Sequence, residues 1–501
     1  MVIAHRHVRG RSRKTQAMRP FFATLASALA LLAGCAAPAS AGPKVPERPP
    51  ISHVIEIMLE NHTFDDLFAH FPGARGVPVG TTLPSPTPGG APVAPLLAGP
   101  NQGEVQAGLN NSRVAELAMM DRRGARYAMD GYTRYPGEGL SAITSFGPSV
   151  APDLWSLARS YELADANFQS VIGPSLPNTL AALSGTNHGW TTNAEPPASD
   201  VWHSIFDELS AKHLASAFYS GVPAWVYAGT VWQKVLAPRQ GVEPLSAFFG
   251  ALAGNQLPAF SFVRPGVGYS EEAPEDVGEG DAWLGQVLNA IGESPAWSST
   301  AVFITYDEGG GFWDHVSPPP SSGYGTRTPM VIVSPYARRG VFGEMTTNLS
   351  VLSYLDTLFH LAPLSALQSR QNNLSRAFYY QQRPLAPPRL PVVPARTVAF
   401  FGKNPLSDPP AEVPGRPFHI LVVEQSPALV PVAASTALSL SLTAPAGIAV
   451  PASFPRRLVL RQGRGELSAV LFHPGYYRLR ASAKGVLGYL TLAVGVGPNT
   501  P

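Results

Sequence analysis

The spacing of apolar and polar positions divides the chain into two textures. Up to about Pro387, short continuous apolar runs are separated by stretches with helical spacing. Beyond it, short runs of alternating character follow one another with turn residues between them. The runs at 51–61 (ISHVIEIMLEN), 215–219, 259–263, 301–306 (AVFITY) and 328–335 place apolar residues consecutively rather than at every second position. That is the pattern of strands buried on both faces. Helices are predicted over 113–126, 152–161, 201–213, 280–291 and 349–360. Thr63 is placed to cap another through Phe68, with Asp65 and Asp66 in its first turn. A shorter one, 179–184, is expected behind Asn178 as its cap. Strands alternating with helices predict an α/β domain built on a sheet with crossover connections. The later runs, at 419–423, 437–442, 457–460, 467–472, 477–481 and 486–494, predict a small C-terminal all-β sandwich. The expected organisation is an α/β domain over 42–387, a Pro-rich linker over 388–417 and the β domain over 418–501. The Pro/Gly-rich stretch 73–108 is expected as a long surface loop.

Composition sharpens this picture in two places. Hydrophobic residues make up 45% of the 501 and charged residues 14%, enough for a large core. A net charge of +2 points to no polyanionic partner, and no nucleic acid is expected. Residues 1–41 read as a targeting segment: basic over 6–19, apolar over 21–32, then Leu32-Ala33-Gly34-Cys35. Cys35, the single cysteine of the chain, stands where a bacterial lipoprotein is cleaved and lipidated. An exported protein is expected, periplasmic or held at the outer membrane by that lipid anchor.

Candidate chemistry sits where apolar runs end. The first run closes on Glu60 and Asn61, and the run at 301–306 closes on Asp307 and Glu308, followed by three glycines, Asp314 and His315. Open α/β sheets bind ligands at the carboxyl ends of their strands. Glu56 interrupts the first run and needs a partner or an edge. A third segment, GPSLPNTLAALSGT, holds Ser175 beside Pro174 and ahead of a helix; it reads equally as a plain Ser-Pro turn and as an anion site. Glu60, Asn61, Ser175, Asp307 and Glu308 together form an oxygen-donor set that favours one hard divalent cation such as Ca²⁺, Mg²⁺ or Mn²⁺. A metal on the serine oxygen would make it a nucleophile, which suits attack on a phosphate ester.

The motifs ENHTFDDLF, MDGY, GPSLPNTLAALSGT, YDEGGGFWDHVSPP and TRTPMVIVSPYARRG, in this order, resemble those of the bacterial phosphoesterase family that contains phospholipases C and acid phosphatases. The resemblance runs over about 51–384 and implies an alkaline-phosphatase-like fold, with a mostly parallel sheet flanked by helices. It implies Glu60, Asn61, Asp307 and Glu308 as metal ligands, and Ser175 as both ligand and nucleophile. Phosphate esters or phospholipids are the implied substrates, with Asn61, Asn178 and His188 as substrate-binding candidates. The chain departs from the family at Asn110–Arg113, at Ala273 and at Gly309, where histidines are often found. His315 and His188 then remain as candidates for the leaving-group acid, with Asp314 placed to orient the loop or His315. The departures also leave room for a different kind of protein, a surface-binding lipoprotein that keeps the fold without turnover.

Overall fold

The computed structural model describes residues 49–99, 109–194, 196–197, 201–221, 242–266, 269–273, 275–391, 396–401, 413–426, 432–445, 447–484 and 486–494. The targeting segment and Cys35 lie outside them. The main sheet comprises β1 His53–Leu59, β2 Glu162–Ala164, β3 Ser216–Ser220, β4 Val242–Pro244, β5 Phe260–Arg264, β6 Thr300–Tyr306, β7 Met330–Val333 and β8 Gly340–Phe342. Their order is β8-β2-β7-β6-β1-β5-β3-β4. Strand β7 pairs antiparallel with β6 and β2, and every other pairing in the sheet is parallel. The fold is therefore the mostly parallel α/β sheet that the alternation of strands and helices implies.

The helices that frame the site are α1 Phe64–Phe68, α2 Arg113–Met120, α3 Pro152–Ser160, α4 Ser175–Ser184, α5 Ile205–Ala211, α6 Leu245–Ala253, α7 Val277–Glu293 and α8 Ser350–Phe359. Leu154 and Leu157 of α3, Leu180 of α4, Trp283 and Leu288 of α7 and Leu352 of α8 share one core with the sheet residues Ile55, Ile57, Phe262 and Ile304. No helix among the described residues is long and apolar enough to cross a membrane.

Three elements differ from their sequence expectation. Helix α2 stops at Met120 because Asp121 turns left-handed (φ 49°), and the arginine-rich remainder forms a small hairpin, Arg122–Arg123 against Arg126–Tyr127. Helix α4 begins at Ser175 and not behind Asn178. Pro177 falls in its first turn, where the missing N–H has no intrahelical partner to lose. The stretch expected as a linker contributes a strand, Arg396–Phe401.

That strand, β9, joins β10 Pro417–Gln425, β11 Thr436–Thr443, β12 Arg457–Leu460, β13 Arg464–Val470, β14 Gly475–Ala483 and β15 Val486–Val494 in a C-terminal sheet of order β12-β11-β14-β15-β9-β10-β13. Its pairings are antiparallel except β9 with β15. It has its own core, around Phe400, Phe418, Ile420, Leu440, Leu467 and Leu479. Arg478 of β14 forms an ion pair with Asp276, the N-cap of α7, and so ties this sheet to the α/β body.

Glu56 shows what a polar residue costs in the central strand. It is fully buried; Oε1 accepts from the Thr305 hydroxyl at 3.2 Å, and Oε2 has no partner. Burial pushes its carboxyl up to about 8, against the hydrogen bond from Thr305 and the charge of Arg264. Between an ordinary carboxylate pKa near ~4.3 and that value, the folded state holds a proton that the unfolded chain has released, so stability falls as pH rises. The slope from this one group reaches about 1.4 kcal/mol per pH unit. Glu56→Gln is expected to flatten the fall in urea-unfolding stability between pH 5 and pH 8; equal slopes for the two proteins would contradict this.

Candidate active site

Strands β6, β1 and β5 are adjacent and parallel, so their carboxyl ends open on one edge of the sheet. Leu59 stands level with Tyr306, and Ile57 with Val263. This register delivers Glu60 and Asn61, Asp307 and Glu308, and Arg264 side by side. The backbone leaves β1 under strain: Asn61 has φ 59° and His62 φ 139°, values that non-glycine residues seldom adopt. Such conformations persist only where the surroundings enforce them, and they cluster at functional sites. Here the Asn61 N–H donates to Asp307 Oδ1 at 2.9 Å, and His62 Nε2 meets the carbonyl of Glu271 at 2.9 Å. Gly310, at φ 65°, packs so closely that a Cβ would stand 2.4 Å from Asn61 Cβ.

The five residues expected as ligands fall into two hydrogen-bonded groups, Ser175 with Glu60 and Asn61 with Asp307 and Glu308, and Arg264 bridges the groups by its ion pairs with Glu60 and Asp307. The Ser175 hydroxyl donates to Glu60 Oε2 at 2.8 Å. The Glu308 N–H joins that of Asn61 on Asp307 Oδ1, at 2.8 Å. Asn111 Nδ2 donates to Glu308 Oε1 at 2.8 Å and to Asn61 Oδ1 at 3.3 Å. Asn348 donates to the carbonyls of Tyr306 and Asp307, both at 3.1 Å, and receives the Ser170 N–H at 2.8 Å, which fixes the end of β6 to the turn before α4. Asp307 and Glu308 are both buried, and burial raises both carboxyls; the charge of Asp307 raises Glu308 further, while Arg264 pulls Asp307 back.

The donor set fits a divalent cation. It consists of oxygens, two of its carboxylates adjoin, and Asp307 Oδ2 is buried without a hydrogen-bond partner. The positive charge beside it is the Arg264 guanidinium, 3.7 Å from Asp307 Oδ2, ion-paired with Glu60 and donating from Nη1 to Thr179 Oγ1 at 3.0 Å. Sequence reasoning passed over Arg264, Asn111 and Asn348. The signal for Arg264 was there: like Glu60 and Asp307, it is the first charged residue after an apolar run. Asn111 lies in the Asn110–Arg113 stretch where the resemblance marks a missing histidine, and for Asn348 no local signal existed.

The remaining candidates sit elsewhere in the hydrogen-bond pattern. Asn178 does not cap a helix. Its Oδ1 accepts the Val171 N–H at 2.9 Å, and its Nδ2 donates to the carbonyls of Val171, Gly173 and Pro174, so it braces the turn that presents Ser175. Thr179 donates to the Ser175 carbonyl at 3.0 Å, one helical turn behind the nucleophile candidate. His188 contacts Ser184 Oγ at 2.9 Å and stacks on Trp202 with ring centroids 4.5 Å apart; burial lowers its pKa. His315 Nδ1 meets Asp65 Oδ2 at 2.6 Å.

Asp65, Asp314 and His315 each bring one ligand atom within 4.8 Å of the others, a grouping that could hold a metal ion. A fixed cation already occupies it. Arg327, wholly buried, donates to Asp65 Oδ1 at 2.9 Å and to Asp314 Oδ2 at 3.1 Å. It also reaches the carbonyls of Arg75 and Asp165, and lies 4.3 Å above the Phe64 ring.

A mostly parallel sheet thus carries a serine and paired acids at its carboxyl edge. The profile of the Phosphoesterase family matches residues 51–362, and the chain belongs to that family. A non-specific phospholipase C6 of Arabidopsis thaliana is 26% identical over 329 residues, 58% of this chain and 63% of the relative. A non-hemolytic phospholipase C of Burkholderia pseudomallei is 24% identical over 390 residues, 62% of this chain and 55% of the relative. The chain thus matches little more than half the length of these curated relatives. A solved protein of the alkaline phosphatase superfamily from Vibrio parahaemolyticus aligns at 13% identity and a TM-score of 0.36, over 58% of this chain and 73% of that one.

Replacing Arg327 by methionine would leave Asp65 and Asp314 buried without their countercharge. Breaking one partner out of a buried ion cluster costs about 3–5 kcal/mol. A loss of that size is expected in urea unfolding of Arg327→Met; a change within ~0.5 kcal/mol would mean that the cluster is neutralised by other means.

Proposed function

We propose that this chain is an exported, metal-dependent phosphoesterase of the phospholipase C type, which cleaves phosphodiesters through a phosphoserine at Ser175. The observation that carries the reading is the convergence at one sheet edge of the Ser175–Glu60 pair and the Asn61–Asp307–Glu308 group, bridged by Arg264. Relatives named as phospholipases C support the diester over the monoester. So does Gly309, where acid-phosphatase-like members tend to carry a histidine: a Cβ there would lie 2.1 Å from Thr326 Oγ1, which excludes a larger side chain.

Ser175 donates its proton to Glu60, so the oxygen lone pairs are left for phosphorus and Glu60 is placed to take the proton. As the first residue of α4, Ser175 lies at a helix N-terminus, whose dipole favours an incoming anion. The Ser175 oxygen–phosphorus bond forms as the bond to the alcohol breaks, and the alcohol oxygen takes up a proton. Water then displaces the serine oxygen, which recovers its proton and releases the phosphomonoester. One divalent cation on Glu60, Asn61, Ser175, Asp307 and Glu308 would supply charge neutralisation and depress the serine pKa. His315, held by Asp65, is the proposed source of the leaving-group proton. The lipid anchor at Cys35 would keep the enzyme beside its phospholipid substrate.

Ser175→Ala is expected to lower kcat on p-nitrophenylphosphorylcholine by at least about 10³-fold, since removing a nucleophile leaves only the residual catalysis of the site. Thr179→Ala should cost much less. A phosphopeptide mapped to Thr179, or an active Ser175→Ala, would displace Ser175 from the role. Asp307→Asn should lower bound divalent metal, read by elemental analysis, together with turnover; full metal content at full rate would place the site elsewhere. Cys35→Ser should move the protein from the membrane fraction to the soluble one, and a wild type already soluble in the periplasm would exclude the anchor.

A further inference from the structure

We propose that Arg264 is a phosphoryl-binding residue: its guanidinium holds the non-bridging oxygens of the group transferred to Ser175. The inference rests on the phosphoesterase reading above. Arg264 closes β5, one strand away from Glu60, and its side chain is 10% exposed, so it borders the site without facing bulk water. One carboxylate links it to the nucleophile: Glu60 Oε2 accepts the Ser175 hydroxyl at 2.8 Å, and Glu60 Oε1 is paired with Arg264 Nη2. A phosphorus atom bonded to Ser175 Oγ therefore lies within reach of that guanidinium edge.

The rest of the side chain is held ready. Nη1 donates to Thr179 Oγ1 at 3.0 Å, and that same hydroxyl donates to the Ser175 carbonyl at 3.0 Å. The nucleophile and the guanidinium are thus positioned by one residue on one helix turn. Nη2 is buried and, beyond its ion pairs with Glu60 and Asp307, donates no hydrogen bond. It is an incompletely used donor aimed at the carboxylates that surround the serine. Among the described residues, Arg264 is the cation paired with the expected ligands.

The neighbouring positions explain why the task falls to it. Asn111 offers a neutral amide that is engaged with Asn61 and Glu308, and Gly309 has no room for a side chain. Neither can supply positive charge to a phosphoryl group. A guanidinium can, through two parallel N–H donors that match tetrahedral phosphate oxygens and a charge that no working pH removes.

The test uses the purified full chain and inorganic phosphate as probe. Phosphate affinity is measured by titration calorimetry, metal content by elemental analysis, and kcat and KM with bis-p-nitrophenyl phosphate, for wild type, Arg264→Gln, Arg264→Lys and Thr179→Val. Arg264→Gln is expected to weaken phosphate binding at least tenfold and lower kcat at least a hundredfold with metal content unchanged. Arg264→Lys should recover part of both losses, because it restores charge without the paired donors. Thr179→Val, which frees Nη1 but keeps the charge, should weaken phosphate binding several-fold, and it carries the test if Arg264→Gln does not fold. Phosphate affinity within twofold of wild type in Arg264→Gln or in Thr179→Val would overturn the proposal. So would loss of metal in step with activity, which would make Arg264 a support for Glu60. A wild type that hydrolyses no phosphate ester in the presence of any divalent metal would instead sink the phosphoesterase reading, whatever the variants do.

Discussion

Three parallel strands in fixed register constrain everything at the edge that holds the candidate site. Because β6, β1 and β5 run the same way, the residues that follow their last apolar positions emerge together. The Asp307 carboxylate then locks two of these ends, since Oδ1 accepts both the Asn61 and Glu308 N–H groups. A slip of one residue in β1 would turn every side chain of the strand to the opposite face of the sheet. Burial of Val54, Ile55, Ile57, Met58 and Leu59 makes register stiff in one sense, and the Asp307 bridge makes it unique in another. The strained φ values at Asn61 and His62 are maintained by these same contacts.

Charge is handled in two different ways within one domain. Around Asp65 and Asp314 the countercharge is covalently part of the chain, supplied by Arg327 with all its partners in place. Around Asp307 and Glu308 it is incomplete: Arg264 meets Glu60 but stands 3.7 Å from an oxygen that has no other partner. A fully compensated cluster holds a fold together. An under-compensated one has free energy left for a ligand, because a buried unpaired carboxylate oxygen is expensive until a cation or donor reaches it.

The sequence carried five of the eight strands of the sheet and the acids at the ends of two of them, because continuous apolar runs and the charges that stop them are local features; the short strands β2, β4 and β8 offer no such run. It did not carry strand direction: TPMVIVSP reads as a buried strand whichever way it points, and β7 is the one that runs against its neighbours. Nor did it carry side-chain partnerships over long separations, such as Asn348 with the end of β6, or Asn111 with Glu308. Pro177 misled in a specific way, since proline inside a first turn looks like a break but fits there. The strand Arg396–Phe401 was hidden by the prolines around it; its apolar side chains Val398 and Phe400 gain meaning only against a core formed by strands later in the chain.

The ion pair of Arg478 with Asp276 gives the C-terminal sheet a foothold on the α/β body close to the candidate site. Asp276 caps α7, and the segment just before it holds Glu271, whose carbonyl seats the His62 ring and whose carboxylate receives the Tyr306 hydroxyl at 2.8 Å. The residue that docks the appended sheet thus lies a short way along the chain from the one that seats His62, next to Asn61.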